Sequence, residues 1–69
     1  MEGELRSHLR ERRLARGLTQ EALADLVGVS RKTINTVENG RFIPSTLLAL
    51  QLAKALRTRV EDLFTVAER

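Results

Sequence analysis

Arg31, Lys32, Asn35 and Thr36 put two cations, an amide and a hydroxyl within six positions of one another. Ile34 and Val37 lie among them, three apart. At helical spacing that apolar pair marks an inner face, and the four polar residues fall on the outer one. Such a set donates hydrogen bonds. Arginine in particular grips phosphates and the O6/N7 edge of guanine with two parallel bonds. Arg31 and Lys32 stand in the first helical turn, beside the positive end of the helix dipole. An exposed cation there costs about 0.3–1 kcal/mol. A nucleic acid supplies the missing negative charge through its phosphates and base acceptors. Thr33, with its shorter reach, suits a phosphate.

Other chemistries find no residues to carry them. Ser7, Ser30 and Ser45 have no base set beside them and read as surface or capping residues. His8 stands among charges with no second ligand at metal spacing. There is no glycine-rich phosphate loop, and Phe42 and Phe64 are too few aromatics for a single-strand stacking platform. Cysteine is absent, so disulfides and thiolate metal sites are excluded. The expectation is a protein that is not an enzyme, with no metal, no cofactor and no small-molecule ligand evident.

The elements that must position the donors lie in Thr19 to Gly40, TQEALADLVGVSRKTINTVENG. Thr19 can cap a helix from Gln20 to Val27, whose Leu23, Ala24 and Val27 share a face. Gly28 breaks it where a left-handed or crowded backbone is needed. Val29 plugs the gap between two helices. Ser30 caps the second, which runs to Glu38 or Asn39, and Gly40 suits the left-handed position after it. Two short helices around a tight turn, with small Ala24 where they cross, make a helix-turn-helix. Its second helix is free to enter the DNA major groove.

The joint pattern TQ-x3-A, GVS and I-x2-V-E-N-G resembles the Cro/phage-repressor (Xre-type) helix-turn-helix family, and the similarity runs from about Leu9 to Phe64. That resemblance implies a motif core of Ala24, Gly28, Val29, Ile34 and Val37. It implies base contacts from Arg31, Lys32 and Thr36, and less consistently from Asn35. Gln20, Asn39 and Arg41 would touch the DNA backbone, joined by Thr33. It further implies an ion pair between Arg13 and Glu38 that ties the recognition helix to the first helix. The bland alternatives are a surface glutamine at 20 and an unpaired arginine at 13.

Around the motif, a first helix is expected from Glu4 to Arg16, with Leu5, Leu9 and Leu14 inward and Glu2 and Glu4 at its amino end. Gly17 stops it. Gly40 to Pro44 is a loop in which apolar Phe42 and Ile43 depart from the family; they cover the core edge or meet a partner. Ser45 caps a fourth helix from Thr46 to about Leu56, with Ala49, Leu52, Ala53 and Leu56 inward. Leu47 and Leu50 point away. They are either scattered surface residues or a stripe for self-association. Thr58 and Glu61 form a possible capping box for a fifth helix, Arg59 to Phe64, with Val60, Leu63 and Phe64 closing the core. Arg57 stands where the family has glycine. Thr65 to Arg69 reads as a frayed tail or a helix extension.

The chain has 69 residues and a net charge of +3. Residues 30–41 carry +2 and residues 19–29 carry −2, so the excess sits where a DNA-reading helix needs it. No apolar run is long enough for a bilayer, and the amino terminus is too charged for a signal peptide. The expectation is a cytoplasmic, all-α, five-helix lambda-repressor-like domain spanning 1–69, with the motif at 19–40 and the recognition helix at about 30–39. It would bind double-stranded DNA at a palindromic operator as a homodimer and act as a repressor. No second domain is seen to sense a ligand. Two alternatives remain: an antitoxin that uses the same domain, and a protein-interaction adaptor that keeps the fold without reading bases.

Overall fold

A computed structural model describes residues 3–68 of the chain. Its elements run β1 (Gly3–Ser7), α1 (Leu9–Ala15), α2 (Gln20–Val27), α3 (Arg31–Glu38), α4 (Thr46–Ala55), α5 (Val60–Leu63) and β2 (Phe64–Glu68). Five helices form as expected, but the domain is not all-α. β1 and β2 pair antiparallel, with Leu5 opposite Val66 and Ser7 opposite Phe64. The residues expected to open a first helix therefore form a strand, and α1 begins only at Leu9. The tail, neither frayed nor helical, is the partner strand. Two features explain this. Phe64-Thr65-Val66 is a run of aromatic and β-branched residues that fits a pleated surface. The backbone N–H of His8 donates to the Leu63 carbonyl at 2.7 Å, which clamps the start of α1 to the end of α5 and aligns the strands. Glu2 and Arg69 lie outside the described residues.

The core is one cluster: Leu9, Leu23, Ala24, Ile34, Val37, Leu48, Leu52, Ala53, Leu56 and Leu63. Leu18, Val27, Val29, Val60 and Phe64 pack against it, partly buried. Leu5 and Leu14, expected inward, are exposed. Arg13 takes that inner place on α1, four residues after Leu9, and is buried. On α4, Leu48 is buried in place of the expected Ala49, which is half-buried. The inner stripe is Leu48, Leu52 and Ala53, continued by Leu56, so the face is rotated from the one expected.

Caps fix the helix limits. Thr19, Ser30 and Ser45 accept from the backbone N–H groups of Ala22, Thr33 and Leu48. Each satisfies an amide with no partner inside its helix. The expected capping box at α5 does not form. Arg59 is the N-cap and makes no side-chain capping bond, while the Thr58 hydroxyl donates to Asp62 at 3.1 Å. Three helix ends share one closing pattern. After α3, Gly40 N–H bonds to the Val37 carbonyl and Arg41 N–H to that of Thr36; after α4, Arg57 N–H bonds to Lys54 and Thr58 N–H to Ala53; α1 ends likewise. This is the Schellman closure, whose middle residue needs a left-handed backbone. Gly40 supplies it with φ 70°, and Arg57 is forced into it at φ 52°. Gly28 is also left-handed, at φ 73°. A Cβ there would meet nothing within 4 Å, so its backbone conformation, not crowding, requires glycine. No helix among the described residues is long and apolar enough to cross a membrane.

Candidate nucleic-acid interface

α2 and α3 pack closely through Leu23, Ala24, Ile34 and Val37, all at most 1% exposed. The turn between them is held by Val29 N–H donating to the Ala24 carbonyl at 3.0 Å. This packing fixes α3 from behind and leaves one face open. Arg31, Lys32 and Asn35 are exposed on that face, and Thr33 and Thr36 are half-buried at its side. Asn39 and Arg41 are exposed beyond its carboxyl end.

Behind the face lies a polar chain anchored in the core. Arg13 Nε donates to Glu38 Oε2 at 2.6 Å and Arg13 Nη2 donates to Oε1 at 3.2 Å. The two side chains are 9% and 3% exposed, which makes this a nearly dry, two-pronged ion pair. Arg13 Nη1 donates to the Leu18 carbonyl at 2.8 Å, so α1, the turn after it and α3 meet at one guanidinium. The chain then runs outward. Gln20 Nε2 donates to Glu38 Oε1 at 3.1 Å and to Asn35 Oδ1 at 3.2 Å. Gln20 Oε1 accepts from Arg31 Nη1 at 3.3 Å. Asn39 Nδ2 also donates to Asn35 Oδ1, at 3.4 Å.

Gln20, Arg31, Asn35, Glu38 and Asn39 are thus brought into one network. Lys32 and Arg41 stand outside it, with side chains directed by no polar contact of the described residues. Thr36 spends its hydroxyl proton on the Thr33 carbonyl at 2.9 Å, and the Thr33 and Ser30 hydroxyls meet at 3.0 Å. Their remaining capacity is to accept, or to donate after rotating. Sequence reasoning missed Gln20 as a hub. Positions 31, 35 and 38 share a helix face and all carry polar groups, but nothing in the sequence sets Gln20 opposite them. Arg16, just past the end of α1, donates through Nε to the Leu56 carbonyl at 3.0 Å and braces the end of α4.

A second surface is lined by residues outside α2 and α3. Leu5, Ile43, Pro44, Thr46, Ala49, Leu50, Val60 and Phe64 line an apolar groove of about 320 Å³. Leu50 and Ile43 are exposed there, whereas Leu47, also exposed, does not line it. Phe42 is exposed in the same loop as Ile43. Among the described residues, no group of His, Asp or Glu side chains is placed to hold a metal ion.

Residues 9–63 match the helix-turn-helix family model HTH_3. An HTH-type transcriptional regulator of Methanothermobacter thermautotrophicus is 49% identical over 65 residues, covering 93% of this chain and 94% of the relative. Among solved structures, the restriction-modification controller protein C.AhdI of Aeromonas hydrophila superposes with a TM-score of 0.76 at 45% identity. The match covers 81% of this chain and 85% of that one. The clp gene regulator ClgR of Corynebacterium glutamicum gives 0.74 at 33% identity, over 78% of this chain and 57% of that one.

Proposed function

Since the chain belongs to the HTH_3 helix-turn-helix family of DNA-binding transcription regulators, we propose that it reads the major groove of duplex DNA with α3. The observation that carries this reading is the open face of α3, where Arg31, Lys32 and Asn35 stand exposed over a rigid, fully packed back. Arg31 and Lys32 reach guanine O6 and N7 from the first turn, and Thr36 and Asn35 reach bases from the second. Thr33, Asn39 and Arg41 hold phosphates and set the register. Gln20 has both side-chain amide protons engaged within the protein. Its phosphate contact is made by the amino end of α2, where backbone amides and dipole favour an anion.

The protein acts as a homodimer on a palindromic operator, in this proposal as a repressor. One small core gives a 69-residue chain little margin by itself. The apolar groove at Leu5, Ile43, Leu50 and Phe64 gains most from being covered by a second copy. Of the two leucines expected as the dimer stripe, Leu50 belongs to this groove, and Leu47 extends the apolar surface beside it. The test is selection of bound sequences from a random duplex pool, followed by sedimentation of the complex. Two symmetric half-sites one DNA turn apart, about 34–36 Å between recognition helices, are the expected result. Absence of any enriched sequence would replace this reading with the adaptor. A folded dimer that captures a toxin on the groove would favour the antitoxin.

A further inference from the structure

The polar chain behind α3 fixes more than position. Glu38 offers only acceptors to Gln20, because Arg13 donates to both of its carboxylate oxygens. Gln20 must therefore turn its NH2 inward. The opposite orientation would set the Gln20 carbonyl against a carboxylate oxygen at about 3.1 Å with no proton between them. With NH2 inward, one proton goes to Glu38 and the other to Asn35. Asn35 must then turn its Oδ1 toward Gln20, where Asn39 also donates to it. The NH2 of Asn35 is left facing outward, with no partner among the described residues. The Gln20 carbonyl, also outward, takes Arg31 Nη1. Donor and acceptor sense thus pass from a buried ion pair to the exposed face, one amide at a time.

We propose that the Arg13–Glu38 pair, acting through Gln20, makes Asn35 a donor-only reader of the major groove. This rests on the proposed base-reading role of α3. A free asparagine recognises adenine at two points, accepting from N6 and donating to N7. Asn35 has its carbonyl occupied and cannot do so. It selects acceptors instead: guanine O6 and N7, or thymine O4, with adenine held through N7 alone and cytosine N4–H2 rejected. Gln20 is a positioning residue for this choice and Asn35 the reading one.

The experiment titrates the full chain and three variants against the selected site, all base changes at the pair facing Asn35, and random duplex. For the parent, guanine or thymine is expected at that pair, with cytosine disfavoured about tenfold or more. Where adenine is tolerated, replacing it with 7-deazaadenine should abolish binding preference, and removing its N6 amine should have no effect. Asn35→Asp keeps an acceptor for Gln20 but loses the outward donor. Its preference should move toward cytosine, read as a ratio that cancels the general loss from added negative charge. Gln20→Ala frees the Asn35 amide to rotate and should broaden the preference to admit adenine, over and above any uniform loss of affinity. Selection of adenine by the parent, with equal loss on removing N7 or the N6 amine, overturns the proposal while leaving base reading intact. So does a Gln20→Ala profile identical to that of the parent. Equal effects of Asn35→Ala on every duplex would instead remove Asn35 from base reading altogether.

Discussion

At the scale of single residues, the division of labour along α3 and its flanks is open to direct measurement. Arg31→Ala should cost about 1–3 kcal/mol on the selected site and relax base choice at one position per half-site. Arg41→Ala should weaken all duplexes alike and lower the salt slope by about one for each phosphate no longer neutralised. Titrations at several salt concentrations separate the two. Equal losses on every sequence for Arg31→Ala would reassign it as a phosphate clamp. The Arg13–Glu38 pair was legible from the sequence, because opposite charges at two motif positions have few explanations. The role of Gln20 was not legible. Its bonds run to residues 11, 15 and 18 positions away, and a glutamine on a helix surface advertises nothing. Its meaning comes from the carboxylate behind it, which only the packing of α2 on α3 brings within reach.

At the scale of elements, the helices were readable wherever caps were local. Thr19, Ser30 and Ser45 each bond to an amide three residues on, so sequence neighbours carry the whole signal. The strands were not readable, because Leu5 and Leu9 are four apart and imitate a helix face, while the true partner of β1 lies at the far end of the chain. Two substitutions probe this level. Ala24 is 1% exposed at the α2–α3 crossing, so Ala24→Leu should destabilise by roughly 1–3 kcal/mol through overpacking. An unchanged urea midpoint would mean that the helices yield there. Arg57 carries the opposite opportunity. A left-handed backbone costs a residue with a Cβ about 1–2 kcal/mol, and glycine loses roughly 0.4–1 kcal/mol of that gain through its freer unfolded chain. Arg57→Gly should therefore raise stability by roughly 0.5–1 kcal/mol at unchanged fold, read as a higher urea midpoint.

At the scale of the whole molecule, the α3 face is polar and another surface is left apolar. If the groove seats a second copy, Ile43→Glu together with Leu50→Glu should give a folded monomer by sedimentation, with far weaker binding to a two-half-site operator. A parent-like dimer in that variant moves the interface elsewhere. Both side chains are well exposed, 74% and 56%, so the fold of the single chain should survive the change. The ribbon adds a consequence of a different kind, in time. The α2–α3 contacts form between neighbours in sequence, but pairing Gly3 with Glu68 closes nearly the entire chain into one loop. Such closure comes late, since its entropy must be met before its hydrogen bonds return anything. Five residues per strand, with no third strand among the described residues, make it the first element to open again. In native-state hydrogen exchange, the ribbon amides should trade their protons well before those of α2 and α3, through an opening that leaves the α2–α3 pair assembled.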